Sequence, residues 1–384
     1  MYLCALFRLT KIMKKAITLF TIALTVLSCA RPVQKGRECI PLVNEIRADK
    51  SCREHILLSG YDARSHAGSI TVFDEKTRVT KMTQRFLIAD NFDNVTAKAV
   101  PDHLPDFAGE TIHSIDDSAN APYGEYDTEN AAMLLREITL CNAMIAIDSL
   151  CYEAIYDEVK ACHRMPAKLV VMSSPYAAAY GKYDLDSLLK LTSCNLPVLY
   201  PSASVAAKVI ADRKSNVGVL SSAGIAKDVY RKIFEDIPVA QGATLPKVSS
   251  FAFDSALGQK DPLKNFLESY RMSGSAEALD ALIVDDFNID AEALERSGLI
   301  MKAINNEENY NYLKLLAPDF KIYSILSVAT EEGYKLMRNH NIFTHNISFP
   351  AAEYYRTVPA EDTSKKTLRA TVRGKYDLFE YVQN

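Results

Sequence analysis

Lys168-Leu169-Val170-Val171-Met172-Ser173-Ser174-Pro175 is an apolar run that stops on two hydroxyls and a proline. A run this short and apolar, closed by turn residues, reads as a strand buried on both faces. The pattern repeats outward in both directions. Upstream, Thr111-Ile112-His113-Ser114-Ile115 stops at Asp116-Asp117, and Phe86-Leu87-Ile88-Ala89 is expected to be a strand ending in Asp90. Ser69-Ile70-Thr71-Val72-Phe73 and His55-Ile56-Leu57-Leu58 are further β-like runs. Downstream, Leu196-Pro197-Val198-Leu199-Tyr200 is a strand. Asn216-Val217-Gly218-Val219-Leu220 ends in Ser221-Ser222, Leu282-Ile283-Val284 in Asp285-Asp286, and Phe320-Lys321-Ile322-Tyr323 in Ser324. Helical spacing separates them at 204–211, 228–234 and 330–338, and residues 129–162 read as one long helix or two stacked ones. Strands alternating with helices predict an α/β fold of two lobes, each with a mostly parallel sheet flanked by helices. Such sheets bind ligands at the carboxyl ends of their strands. A polar residue after a strand is ordinary cap chemistry on its own. As a set, Asp90, Asp117-Ser118, Ser173-Ser174, Ser221-Ser222 and Asp285-Asp286 predict a polar cleft.

The N-terminus is of another kind. Arg8, Lys11, Lys14 and Lys15 precede the uncharged apolar stretch 16–27, which is shorter than the roughly 20 residues of a membrane span. A short apolar core behind basic residues is a secretory signal pattern. Val26-Leu27-Ser28-Cys29 resembles a lipobox, which implies that Cys29 carries a lipid and anchors the chain at the cell envelope, on the periplasmic face or the cell surface. The chain has 384 residues and a formal net charge of −4, with no long basic run, so nucleic acid is not an expected partner. Of its 8 cysteines, Cys39 and Cys52 are candidates to pair in an oxidising compartment, while Cys141, Cys151, Cys162 and Cys194 read as small buried hydrophobes. No C-x-x-C pair occurs, and His340 and His345 stand five apart, so no metal site is expected. Neither a G-x-S-x-G elbow nor a phosphate-binding glycine loop is present.

Ile115-Asp116-Asp117-Ser118-Ala119-Asn120-Ala121-Pro122-Tyr123-Gly124 resembles the segment of aspartate/glutamate racemases that ends in Pro-Tyr-Gly. Ile88-Ala89-Asp90-Asn91 lies about where that family has a strand and an Asp-Ser. Val217-Gly218-Val219-Leu220-Ser221-Ser222 with Tyr230 resembles the strand and helix of its second half. The resemblance runs from about Arg85 to Arg338. It implies lobes over 85–200 and 201–338; with the N-terminal reading of a signal peptide over 1–28, this leaves a tether and extension over 29–84 and a C-terminal extension over 339–384. It also implies chemistry without a cofactor, in which two cysteines face each other across a substrate α-carbon. By the same resemblance Asn91, Asp117, Ser118, Pro122, Tyr123, Gly124, Ser174, Ser221 and Ser222 would line the site. The ligand would be a small carboxylate or amino acid, and a homodimer is among the expected assemblies.

Both cysteines are replaced. Ser173 is the best match at the first position, an alternative register through Ala146-Ile147-Asp148-Ser149 puts Ile147 there, and Asp286 stands at the second. A serine hydroxyl is a very weak acid and needs an adjacent base, so two-thiol racemisation is not expected. Three readings stay open. One is a shell that binds a small amino acid or dicarboxylate without turnover. Another is an isomerase or lyase using Asp90, Ser173 and Asp286 as acid/base groups. The third is a non-catalytic envelope interaction protein.

Overall fold

The computed structural model describes residues 37–358 and 371–373, except 66, 129–130, 153–160, 223–224, 239–243, 253–260, 276, 305 and 347. The chain divides into a segment Met1–Glu38, nearly all outside the described residues, and a body Cys39–Asn384. Everything below concerns the body. Cys29 and the apolar stretch before it lie outside the described residues.

Two sheets organise the body. The first has eight strands in the order β4-β3-β12-β11-β2-β1-β5-β6. These are β1 (Ser69–Asp74), β2 (Thr111–Asp116), β3 (Leu150–Tyr152), β4 (Ala161–His163), β5 (Ala167–Met172), β6 (Val198–Leu199), β11 (Ala351–Thr357) and β12 (Thr371–Arg373). The second has four, β10-β9-β7-β8, drawn from β7 (Asn216–Ser221), β8 (Lys247–Ala252), β9 (Leu279–Asp285) and β10 (Leu316–Ser324). Every pairing in the second sheet is parallel, as are those from β11 through β2, β1 and β5 to β6. The protein is therefore α/β, with two sheets flanked by helices. Parallel strands covered on both faces are apolar throughout, and β1, β5 and β7 are buried at every residue.

The helices are α1 (Pro41–Ala48), α2 (Arg53–Leu58), α3 (Lys76–Ile88), α4 (Ala132–Ile147), α5 (Lys182–Leu191), α6 (Pro201–Ala211), α7 (Val229–Asp236), α8 (Pro262–Met272), α9 (Ala291–Ala303), α10 (Glu307–Leu313) and α11 (Ile325–His340). Local chemistry sets several ends. Asp261, Asp290, Asn306 and Ser324 cap α8 to α11 by accepting from a backbone N–H in the first turn, and α11 stops on left-handed Asn341. Gly181 lies at the end of a π-turn (Ala177–Gly181) where a Cβ would stand 2.1 Å from Oγ1 of Thr139 on α4, so only glycine permits this approach.

Several local expectations are corrected. Phe86-Leu87-Ile88 is the last turn of α3, not a strand, because Val79, Met82 and Phe86 are buried at helical spacing. The run from His55 to Leu58 is helical, with the Cys52 sulfur accepting from His55 N–H. Among the described residues, the stretch read as helix over 129–162 holds α4, which ends at Ile147, and the antiparallel pair β3–β4. Cys151 is disulfide-bonded and stands opposite Cys162 in that pair, while Cys39 and Cys52 are free. The first sheet takes β1 from upstream of Arg85 and β11 from the stretch beyond 339.

Candidate functional site

The carboxyl end of β1 meets the carboxyl ends of β5 and β9. Asp74 closes β1 and Glu75 caps α3. In the parallel β1–β5 register, Phe73 pairs with Met172, which sets Ser173 beside Asp74. The Ser173 hydroxyl donates to Asp74 Oδ2 at 2.6 Å. One turn into α3, Arg78 points back over the strand ends. Its Nε donates to Asp74 Oδ2 at 3.0 Å and its Nη2 to the Ser173 carbonyl at 3.2 Å. The same guanidinium reaches the other sheet. Nη1 donates to the Asp285 carbonyl and Nη2 to Asp285 Oδ1, both at 2.8 Å. The Phe287 ring stacks on it, 4.0 Å from Cζ to ring centroid.

All of this is buried. Asp74 is 1% exposed, Asp285 and Ser173 0%, and Arg78 8%. Burial works against the charge on Arg78, but Asp285 and Asp74 outweigh it and hold its pKa above the ordinary value. Burial pushes the Asp285 carboxyl up, with Arg78 opposing. Burial likewise raises the phenol of Tyr230, on α7, and the neighbouring Asp285 charge adds to this. A second link between the lobes runs from Ala226 N–H to the Tyr176 hydroxyl at 2.9 Å, and a third from Lys232 of α7 to Asp127 at 3.1 Å.

Beside this junction lies the Pro-Tyr-Gly segment. Asp117, at 0% exposure, holds it in place. Its carboxylate accepts from the Tyr123 hydroxyl at 2.6 Å, Thr357 Oγ1 at 2.6 Å, Asn120 Nδ2 at 2.8 Å and Asn142 Nδ2 at 2.9 Å. Burial raises its pKa despite these donors. The Tyr123 backbone N–H donates to Glu75 Oε1 at 2.8 Å, and burial raises Glu75 as well. Tyr123 and Ser174 line a cavity of about 10 Å³ with Phe73, Asn142, Met172 and Tyr176, on the order of the space one water needs. Asp116, at the end of β2, is pushed up to about 6 by burial, against the pull of Lys76.

The sequence-expected residues divide accordingly. Ser173 belongs to the junction, and Ser222 reaches it by donating to the Asp285 carbonyl at 3.4 Å. Asp286 follows Asp285, but its carboxylate accepts from Asn288 N–H in a turn. Ser221 donates to the Phe251 carbonyl at 3.5 Å. Asp117, Tyr123 and Ser174 are buried next to the junction, Gly124 is half-buried, and Pro122 and Ser118 are exposed, with Ser118 donating to the Thr357 carbonyl. Asp90 and Asn91 are elsewhere. They follow the far end of the 13-residue α3, roughly 20 Å from its start at 1.5 Å per residue. Asp90 accepts from the backbone N–H groups of Asp102 and His103, and Asn91 binds Asp106. The residue that meets Ser173 is Asp74. Its signal was the β-like run ending in Phe73-Asp74, with an arginine one helical turn later. Arg78 itself has no counterpart in the expected site.

No family model and no curated protein matches the chain. Its structural neighbours are glutamate racemases and related proteins. The chain is similar to glutamate racemase isoform RacE1 from Bacillus anthracis at 16% identity, covering 82% of this chain and 98% of that one, with a TM-score of 0.48. It is similar to the glutamate racemase of Francisella tularensis, solved with D-glutamate, at 16% identity, 77% and 89% coverage and a TM-score of 0.47. An aspartate racemase homologue from Pyrococcus horikoshii is 12% identical, with 70% and 98% coverage and a TM-score of 0.35.

Proposed function

We propose that this chain is a racemase-like, lipid-anchored envelope protein whose interlobe cleft is sealed by its own side chains and which acts by interaction, without racemising amino acids. The observation that carries the proposal is Arg78, which binds Asp74 and Ser173 on one lobe and Asp285 on the other. A free amino acid would bring an ammonium and a carboxylate to such a cleft. Here a guanidinium already sits between the two buried aspartates, and Glu75 already takes the Tyr123 N–H that could hold a carboxylate. The neighbouring cavity is too small for either diacid. Ser173 directs its hydroxyl at Asp74, but the Asp74 oxygen it meets is already taken up by Arg78. Export is supported by the disulfide at Cys151, since such bonds persist in oxidising compartments.

The test is incubation of the purified protein with L-glutamate and with L-aspartate in D₂O, read by proton NMR and chiral chromatography. The expected result is no exchange of the α-proton, no D-enantiomer and no shift in the melting temperature. Turnover at about 1 s⁻¹ or faster, within the usual enzyme range, would overturn the proposal. For the anchor, Cys29→Ala should release the protein from membrane pellets or stall its processing.

A further inference from the structure

The far side of the first lobe carries a larger opening. A pocket of about 600 Å³ lies between the C-terminal part of α11, the segment after it and the loop between α3 and β2. That volume is in the range of small-molecule sites. Its wall is pinned in place. Left-handed Gly109 donates to the Ser348 carbonyl at 2.6 Å, and a Cβ there would stand 2.2 Å from the Asn346 carbonyl oxygen. Thr344 N–H donates to Glu110 Oε1 at 2.7 Å, and Glu110 is fixed in turn by the buried Lys168 at 2.5 Å.

The lining groups differ from those of the junction in that the cation is not already held between carboxylates. Arg338 is exposed and makes no ion pair among the described residues. The carboxylate of Asp106 also lines the pocket, but its oxygens accept from Asn91 and Phe92 and make no ion pair with Arg338. Tyr334 is 3% exposed, its hydroxyl has no hydrogen-bond partner, and its ring lies under Arg338, 5.9 Å from Cζ to ring centroid. Its ring is held from behind by Phe92, stacked at 4.4 Å, which fixes where the hydroxyl stands. Phe343 offers a half-buried ring, and Asn341, His345 and Asn346 add polar groups at the rim.

We propose that this pocket binds a small anionic polyhydroxylated molecule, a sugar acid or sugar phosphate. A guanidinium fork matches a carboxylate or phosphate. The amides and the buried phenol supply donors and acceptors for ring hydroxyls, and Phe343 gives an apolar face for the ring's C–H side. The proposal is independent of whether the interlobe junction turns over amino acids.

The experiment is isothermal titration of the purified full-length chain with glucuronate, glucose 6-phosphate, glucose and inorganic phosphate. Glucuronate and glucose 6-phosphate are expected to bind, and their ratio tells carboxylate from phosphate as the preferred anion. Glucose and inorganic phosphate are expected to bind at least about tenfold more weakly. Arg338→Ala, at an exposed position, should weaken the anionic sugars by about tenfold or more and leave the weak glucose affinity unchanged. Tyr334→Phe, which keeps the ring, should weaken both sugars and leave the melting temperature unchanged. No binding of either anionic sugar up to roughly 10 mM, an affinity weaker than about 3 kcal/mol, would overturn the proposal. So would equal affinity for glucose and glucuronate, equal affinity for inorganic phosphate and glucose 6-phosphate, or indifference to Arg338→Ala.

Discussion

The two ends of α3 face opposite situations. At its start, Arg78 joins Asp74, Ser173 and Asp285 in a network with almost no exposure. Past its end, the loop carrying Asp90, Asn94 and Asp106 borders an open pocket with an unpaired arginine and an unpartnered phenol. In the first region Arg78 is held by two buried carboxylates, although Asp285 Oδ2 and the Tyr230 hydroxyl keep no hydrogen-bond partner; in the second the exposed Arg338 meets no carboxylate among the described residues. Charge alone therefore does not mark a site. What separates the regions is whether the cation already holds its counter-ions, as Arg78 does with Asp74 and Asp285.

The largest effect should come from breaking the first region. Arg78→Ala leaves Asp74 and Asp285 buried without a counter-ion, and such a loss typically costs about 3–5 kcal/mol. A large drop in melting temperature is expected, with much of it regained when Asp74→Asn and Asp285→Asn are added. Equal stability of Arg78→Ala and the parent would mean that the junction is not closed in solution. Next, Gly109→Ala should distort the pocket wall, since its φ is +80° and a Cβ meets backbone oxygen; strain of this kind is on the order of 2 kcal/mol. Thermal unfolding measures it, and loss of anionic-sugar binding with Asp74–Arg78 intact would sharpen the contrast.

The third expectation concerns pH. Asp116 titrates at about 6 in the folded chain, against 3.8 for the ordinary group. Between those values the folded state holds a proton that the unfolded state has lost. The stability Asp116 contributes is thus full below about pH 4 and declines as pH rises to 6. Asp117 and Asp285 are shifted in the same direction by burial. Asp116→Asn should flatten part of this decline, by about 3 kcal/mol at most, in urea unfolding at pH 4, 5, 6 and 7. An unchanged slope would show that Asp116 is solvated. The smallest effect is expected at Asp90. Asp90→Ala removes an acceptor for two loop N–H groups and should cost about 1 kcal/mol, with no change at the interlobe junction.

These contrasts also explain what could be read in the sequence. Val170, Val171, Leu220 and Ile283 sit in uniformly apolar runs, so the parallel strands and the α/β class were legible. Ser173 was legible because it ends such a run. Asp90 was misplaced because Phe86-Leu87-Ile88 has the same composition as a buried strand, and only the spacing back to Val79 and Met82 reveals a helix face. Asp74 falls outside the stretch that resembles the racemases, which begins at about Arg85, because β1 precedes it. Arg78 could not be found by strand ends at all. Its role depends on Asp285, far away in sequence and on another sheet, and such a pairing leaves no local periodicity. The pocket beside α11 was hidden for the same reason, being built from two loops that approach only after folding.

The position of β11 has a consequence for synthesis. It inserts between β2 and β12, and Thr357 at its end donates to Asp117, the residue that fixes the Pro-Tyr-Gly segment. The first lobe therefore cannot complete its sheet, nor that segment its anchor, until nearly the whole chain has left the ribosome. An emerging chain waits with β2 open along one edge, and exposed edges invite mispairing.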